Sequence, residues 1–228
     1  NSGSGLSPIG NFTTKFTGNY NGGGFRILGI SINRPSTDNI GLFGYTTSTA
    51  TISYLGLDNV NIVGRQYIGG LVGFMGGGTI TSCAISGTVS SSYDGTSFGG
   101  LVGEMYGPAG NCLVQKSYSL VNVTGGGYNL GGLVGVCWGT TTSARIENCF
   151  SRGNVTRISI SAESTKCAAF CGYNYGGSVT KSYSTGSVYF TGTSNPTAKG
   201  FIGANTGTAT DNYWDNDVSN QITAVGAT

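Results

Sequence analysis

One four-residue core returns six times along this chain and constrains its fold more than any other feature. It reads GLFG at Gly41, GLVG at Gly70, Gly100 and Gly132, and, more loosely, AFCG at Ala169 and GFIG at Gly200. The first residues of successive cores lie 29, 30, 32, 37 and 31 positions apart. A period of that size marks a solenoid or array, in which each repeat buries its apolar face only against its neighbours. The recurring leucines, phenylalanines and glycines carry no acid, base or nucleophile. The repeat therefore speaks of architecture before chemistry.

A second block follows each core. Ile80 and Val89, Val114 and Val123, Ile146 and Val155, and Val179 and Val188 are each nine apart. Three residues after the first member stands a small side chain, Cys83, Ser117, Cys149 or Ser182, followed by Ala84, Tyr118, Phe150 or Tyr183. Fixed strands joined by loops of variable length account for this pattern. The apolar positions are short runs of Val, Ile, Leu and aromatics bounded by Gly, Ser, Thr and Asn, without a 3.6-residue period. The chain should thus be all-β with little helix, a parallel β-helix or β-solenoid of about six repeats of roughly 30 residues. Coils of three short strands, stacked at the spacing of a sheet, would reach on the order of 30 to 35 Å. The glycines should serve the corners, through positive φ and close approach of neighbouring coils.

Within the core, Leu42, Leu71, Leu101, Leu133, Phe170 and Phe201 are each followed by a second apolar residue, which a flat strand would point to the opposite face. Either the backbone bends so that both face inward, or the outer one is covered or forms a surface for self-association.

The core, its period and the blocks ITSCAISGTV and VTKSYSTGSV resemble the GLUG-repeat family of large bacterial surface and secreted proteins. The segment FTTKFTGNYNGGGFRILGISINRPSTDNIGLFG is similar to the lead-in of such arrays, and NYWDNDVSNQ to their ending. The chain departs from the family pattern at Asn21, Asn220 and the AAFCG core. The resemblance implies an extracellular β-solenoid scaffold in adhesin-like proteins. It also suggests a division into a lead-in or capping segment over 1–40, the repeats over 41–210 and a closing Tyr-Trp-Asp element with its tail over 211–228, all within one continuous domain.

Of 228 residues, 42 are Gly, 9% are charged and none is His, with a net charge of +2. The eleven Lys and Arg are scattered, so no nucleic-acid footprint is expected, and no apolar run suits membrane insertion. The start at Asn1 without Met suggests a processed mature protein or an excised fragment, with secretion the expected route. Six cysteines, Cys83, Cys112, Cys137, Cys149, Cys167 and Cys171, favour disulfides in an exported chain. Cys83 and Cys149 share a repeat position two coils apart, about 9 to 10 Å, too far to bridge each other. They would pair with loop cysteines such as Cys112 or Cys137, or stay buried and reduced. A metal site at Cys167 and Cys171 is the less favoured alternative, without His or a C-x-x-C pair.

Asp211, Asp215 and Asp217 could ligate calcium or supply an acid and a base, or simply end the last coil. Glu104, Glu147 and Glu163 are isolated. Arg26, Arg65, Arg145, Arg152 and Arg157 could meet anionic sugars or keep the solenoid soluble. Tyr118, Phe150 and Tyr183 share one repeat position and suggest a stacked ladder. Asn11, Asn122 and Asn154 head N-x-[ST] sequons.

No catalytic constellation or cofactor motif is visible, so a non-enzymatic structural or adhesive extracellular protein is the leading expectation, including the self-assembling subunit of a filament. A glycan- or protein-binding adhesin module, or a polysaccharide-acting β-helix enzyme, are the alternatives. The expected partner is the protein itself, by end-to-end or lateral contact, or environmental glycans and surface proteins. Either tail, NSGSGLSPIGNF or SNQITAVGAT, suits strand addition to a next subunit.

Overall fold

The computed structural model describes residues 3–158, 166–191 and 198–225, so Glu163 lies outside the described residues. The chain winds as a β-solenoid. A representative coil runs through Ile68–Gly69, Val72–Met75, Gly78–Thr81 and Ala84–Ser90 before the next begins. Stacking aligns these segments into four sheets of five, six, seven and ten strands. Neighbouring strands in each sheet pair in parallel, coil upon coil. Helix is confined, among the described residues, to Asn216–Ser219 and a 3-10 turn at Gly107–Ala109.

Each coil thus has four strand segments where three were expected, because the core itself is a corner. The chain bends at Gly70 and Leu71, between Ile68–Gly69 and Val72–Met75, and the other cores do the same. That bend turns both apolar residues inward: Leu71 and Val72, Leu101 and Val102, Leu133 and Val134, and Phe170 and Cys171 are all buried in one core. Side chains that a flat strand would send to opposite faces share one interior because the backbone changes direction between them. The bend also requires glycine beside it. A Cβ on Gly131 would lie 2.0 Å from the carbonyl oxygen of Val134, and one on Gly99 would lie 2.0 Å from that of Val102.

At another corner positive φ falls on residues other than glycine. Tyr54, Ser82, Lys116, Asn148, Lys181 and Asp211 turn between the seven-stranded and ten-stranded sheets with φ between 49° and 56°. A left-handed conformation costs such residues roughly 1–2 kcal/mol each. The first five are held by inter-coil hydrogen bonds, the N–H groups of Tyr54, Ser82, Lys116, Asn148 and Lys181 donating to the carbonyls of Thr81, Gln115, Glu147, Thr180 and Thr210 at 3.1–3.2 Å.

The nine-residue block is explained by the same register. Ile80, Val114, Ile146 and Val179 form one inward column, extended by Tyr20 and Ile52 at one end and Ala209 at the other. Val89, Val123, Val155 and Val188 form another, preceded by Ile32 and Ile62. A further repeat, Ile52 with Ile62, escapes the nine-residue rule because it is ten apart. The extra residue is a bulge at Asn59, which takes φ 54° while its N–H donates to Ser86 Oγ at 3.2 Å. Segment 1–40 contributes rungs to the same columns through Tyr20, Ile27 and Ile32.

Both tails fold back on their own coils. The Gly200, Phe201 and Ile202 N–H groups donate to Thr223 and Ala224 carbonyls, and Val225 bridges Ile202 in parallel. Ile9 and Phe16 bridge Phe43 and Thr46 likewise. Each tail thus pairs along one side with its own chain.

Candidate ligand-binding groove

The site is built where the five-stranded and six-stranded sheets meet at the core bend. Since the core residues point inward there, the residues flanking each core point outward. On one side these are Tyr67, Ser97, Asn129 and Lys166, and on the other Phe74, Glu104, Val136 and Tyr173. Partners within a coil are seven positions apart. They meet across the angle. The Tyr67 and Phe74 rings are edge-on at 5.3 Å, Ser97 Oγ donates to Glu104 Oε2 at 2.9 Å, and Lys166 Nζ sits 3.9 Å from the Tyr173 ring centroid.

Further out on the six-stranded sheet, Tyr106, Trp138 and Tyr175 raise an aromatic ridge, with rings 5.0 and 5.3 Å apart. Floor and ridge enclose a cleft of about 340 Å³ lined by Glu104, Asn129, Trp138, Lys166, Tyr173 and Tyr175, among others. A second cleft of about 550 Å³ continues past Tyr67 toward Asp38, Tyr45 and Phe12. The volumes fall in the range of small-ligand sites, about 300–1,000 Å³.

The polar groups of the floor are few and desolvated. Glu104 is 7% exposed, and burial pushes its carboxyl up to about 7, opposed by the Ser97 hydroxyl bond. Burial lowers Lys166 and raises Tyr67. Asn129 spends its Nδ2 on the Thr96 carbonyl at 3.1 Å, while its buried Oδ1 has no hydrogen-bond partner. An unpaired acceptor in such a position costs about 1–3 kcal/mol.

This groove was not legible as a site in the sequence, where Glu104 stood isolated. The signal was present in the residues three before and four after each core, where Glu104 interrupts an aromatic and aliphatic column. The other nominated residues lie elsewhere. Asp215 caps the short helix, its Oδ1 accepting from the Asp217 and Val218 N–H groups, and Asp211 is a corner residue. Among the described residues no three Cys, Asp or Glu converge on a place that could hold a metal ion. Arg26, Arg65 and Arg145 pair with Asp58, Asp38 and Glu147. Tyr118, Phe150 and Tyr183 form the stacked ladder expected of them.

The disulfide expectation is corrected. All six cysteines are free and buried. Cys83 and Cys149 alternate with Ser117 and Ser182 in one corner column and act as serine equivalents: each thiol donates to the carbonyl two residues back, as Ser117 and Ser182 do. Each also accepts its place from the next coil, the Cys83 and Cys149 N–H groups donating to Ser117 and Ser182 Oγ at 3.0 and 3.1 Å. Cys137, Cys167 and Cys171 fill columns otherwise held by Met105, Leu130 and Val134. Burial holds these thiols up, to about 12 for Cys112, Cys149, Cys167 and Cys171 and about 11 for Cys83. The sequon residues Asn11, Asn122 and Asn154 are all exposed. Asn122 Oδ1 accepts from the Asn154 N–H at 2.9 Å.

Comparison with known proteins places residues 64–90 on the family model described as the GLUG motif. Over 106 residues, 46% of this chain, the sequence is 39% identical to Halomucin of Haloquadratum walsbyi, and the match covers 1% of that protein. It is 38% identical over 74 residues, 31% of this chain, to a Putative Gly-rich membrane protein of Evansella cellulosilytica, covering 9% of it. The chain thus spans a small fraction of the curated relatives it matches. No solved structure matches it.

Proposed function

Residues 64–90 match the GLUG motif, and from that premise we propose that the chain serves as a rigid structural and adhesive unit of a surface-exposed or extracellular protein. The observation that carries this reading is the unbroken parallel stack, in which one inward column runs through seven rungs from Tyr20 to Ala209. Such a stack, in which each repeat packs on its neighbours, holds its outer faces at a fixed spacing. The printed names of the relatives, one of them a membrane protein, support the same location. The role is not enzymatic on this reading. Glu104 is the one carboxylate among the described residues lining its cleft, whereas glycoside hydrolysis uses a pair roughly 5 to 9.5 Å apart. Antibody against the purified chain should label intact source cells and lose that label after brief external proteolysis. Label seen only after permeabilisation would refute surface display.

Self-association is a second reading, favoured by one observation. Thr208–Thr210 and Tyr213–Trp214 end their sheets among the described residues, and Tyr213 is 72% exposed. An edge of that kind can take a strand from another copy. Sedimentation should then show mass rising with concentration, and a monomer at every concentration would end this reading.

A further inference from the structure

We propose that the groove at the core bend binds a neutral pyranose unit of a glycan, seated between Trp138 and Tyr175 on one side and Glu104 and Asn129 on the other. A pyranose ring has an apolar face of C–H bonds and an equatorial rim of hydroxyl donors. The groove offers the complement of each.

The aromatic ridge supplies the apolar contact. Trp138 is 39% and Tyr175 44% exposed, and both rings line the cleft. Their mutual edge-to-face packing, at 87°, fixes their orientation while leaving ring surface open toward the cleft. Tyr173 closes the end, its own ring held by Lys166.

Two buried acceptors supply the polar contact. Glu104 is more than nine-tenths buried, its Oε2 already engaged by Ser97 and its carboxyl set in the cleft wall. The buried Oδ1 of Asn129 lacks a donor. Two acceptors in a water-poor cleft ask for a ligand rich in donors, and hydroxyl groups are the donors that also come with an apolar face. An anionic sugar fits less well, because Lys166 is the one cation among the described residues lining the cleft and its ammonium is turned onto the Tyr173 ring. A peptide would satisfy the acceptors with N–H groups, but the two outward columns belong to sheets whose main chains are already fully paired from coil to coil, so no free edge is offered for strand addition. The inference deepens the adhesive reading, yet it rests on the groove alone: surface display decides only whether the glycan is met, and binding is measured on the purified protein.

The test is a printed array of neutral hexose oligosaccharides, with sulfated and uronic-acid oligosaccharides as the charged arm, followed by calorimetry on the strongest neutral ligand. Trp138→Ala should weaken that ligand roughly tenfold or more, equivalent to about 1.4 kcal/mol. Asn129→Leu should weaken it as well, while Tyr183→Ala, on the opposite ladder, should bind as the parent does. Circular dichroism of each variant establishes that the fold is retained. Absence of neutral ligands at millimolar concentration, binding confined to the charged arm, or unchanged affinity in both Trp138→Ala and Asn129→Leu would each overturn the proposal. Binding by a protein that proves not to be surface-displayed would leave the groove assignment standing and remove only the adhesive role.

Discussion

Tyr118, Phe150 and Tyr183 lie ring over ring at 4.6 and 5.0 Å, each pair only 7° from parallel, whereas Tyr106, Trp138 and Tyr175 meet edge to face at 86° and 87°. Both columns follow the coil repeat, and both draw on residues paired across neighbouring strands. The first stands on the flat ten-stranded sheet, where register places identical positions over one another and each ring consumes the face of the next. The second stands beside the bend, where the sheet turns toward its neighbour and the column behind it changes from Phe74 to Glu104 to Val136. There the rings leave their faces to the cleft. In these two columns, the ladder rings spend their faces on one another, whereas the ridge rings line a cleft.

The largest expected effect separates the two at their foundations. Gly131→Ala would set a Cβ against the Val134 carbonyl under the groove, with the Gly172 N and the Phe170 O both at 2.8 Å. No rotation of a flexible side chain relieves that clash, and a loss of about 4 kcal/mol or more is expected in urea unfolding. Hydrogen exchange should show protection falling further at 134–138 than at 118–125. An even loss across both segments would mean that the two columns are not independent units of stability.

Next comes pH. Glu104 titrates near 7 in the fold against an ordinary value of 4.5, because burial disfavours its charge. Below 4.5 both folded and unfolded chains hold the proton, and its contribution is fully present. As pH rises toward 7 the unfolded chain ionises first, so stability falls by up to about 3 kcal/mol and then levels. Urea midpoints at pH 5 and pH 8 should differ in this sense, and Glu104→Gln should remove most of the difference. No comparable slope is expected from the ladder, which holds no carboxyl group. A Glu104→Gln protein with the parent's full slope would place its origin outside the groove.

A smaller change tests the ladder itself. Phe150→Ala removes the middle ring and both stacking contacts, at about 2 kcal/mol, with no effect on groove binding. Equal losses of stability and of binding would contradict the division drawn between the two faces. The smallest effect belongs to Tyr183→Ala. Its ring is 41% exposed and stacks on one side, so about 0.5–1 kcal/mol is expected, read as a shift in thermal midpoint. A loss as large as that of Phe150→Ala would show that the ladder continues in force to Tyr213.

The sequence by itself determined the repeat, the strand character, the low helix content and the register of the block from Ile80 to Val188. These depend on local patterning, and each coil contacts only the coils beside it, so spacing along the chain translates directly into stacking. The buried fate of Leu71 with Val72 was left open until the bend was seen, since adjacency in sequence does not disclose a change of backbone direction. Serines 119, 151 and 184 are interior, the last two donating to the carbonyls of Ala169 and Gly200 at 2.6 and 2.7 Å. Composition alone marks them as surface residues, and only the partner brought in by the next coil reverses that. The cysteines were misread for the same reason: an even count says nothing about which column each thiol occupies, and Cys83 and Cys149 turned out to hold places that serine holds in the coils between. Glu104 depended most on tertiary structure. Its desolvation, its bond to Ser97 and its nearness to Asn129 and Trp138 arise because two sheets meet at an angle, and no residue near it in sequence records that angle.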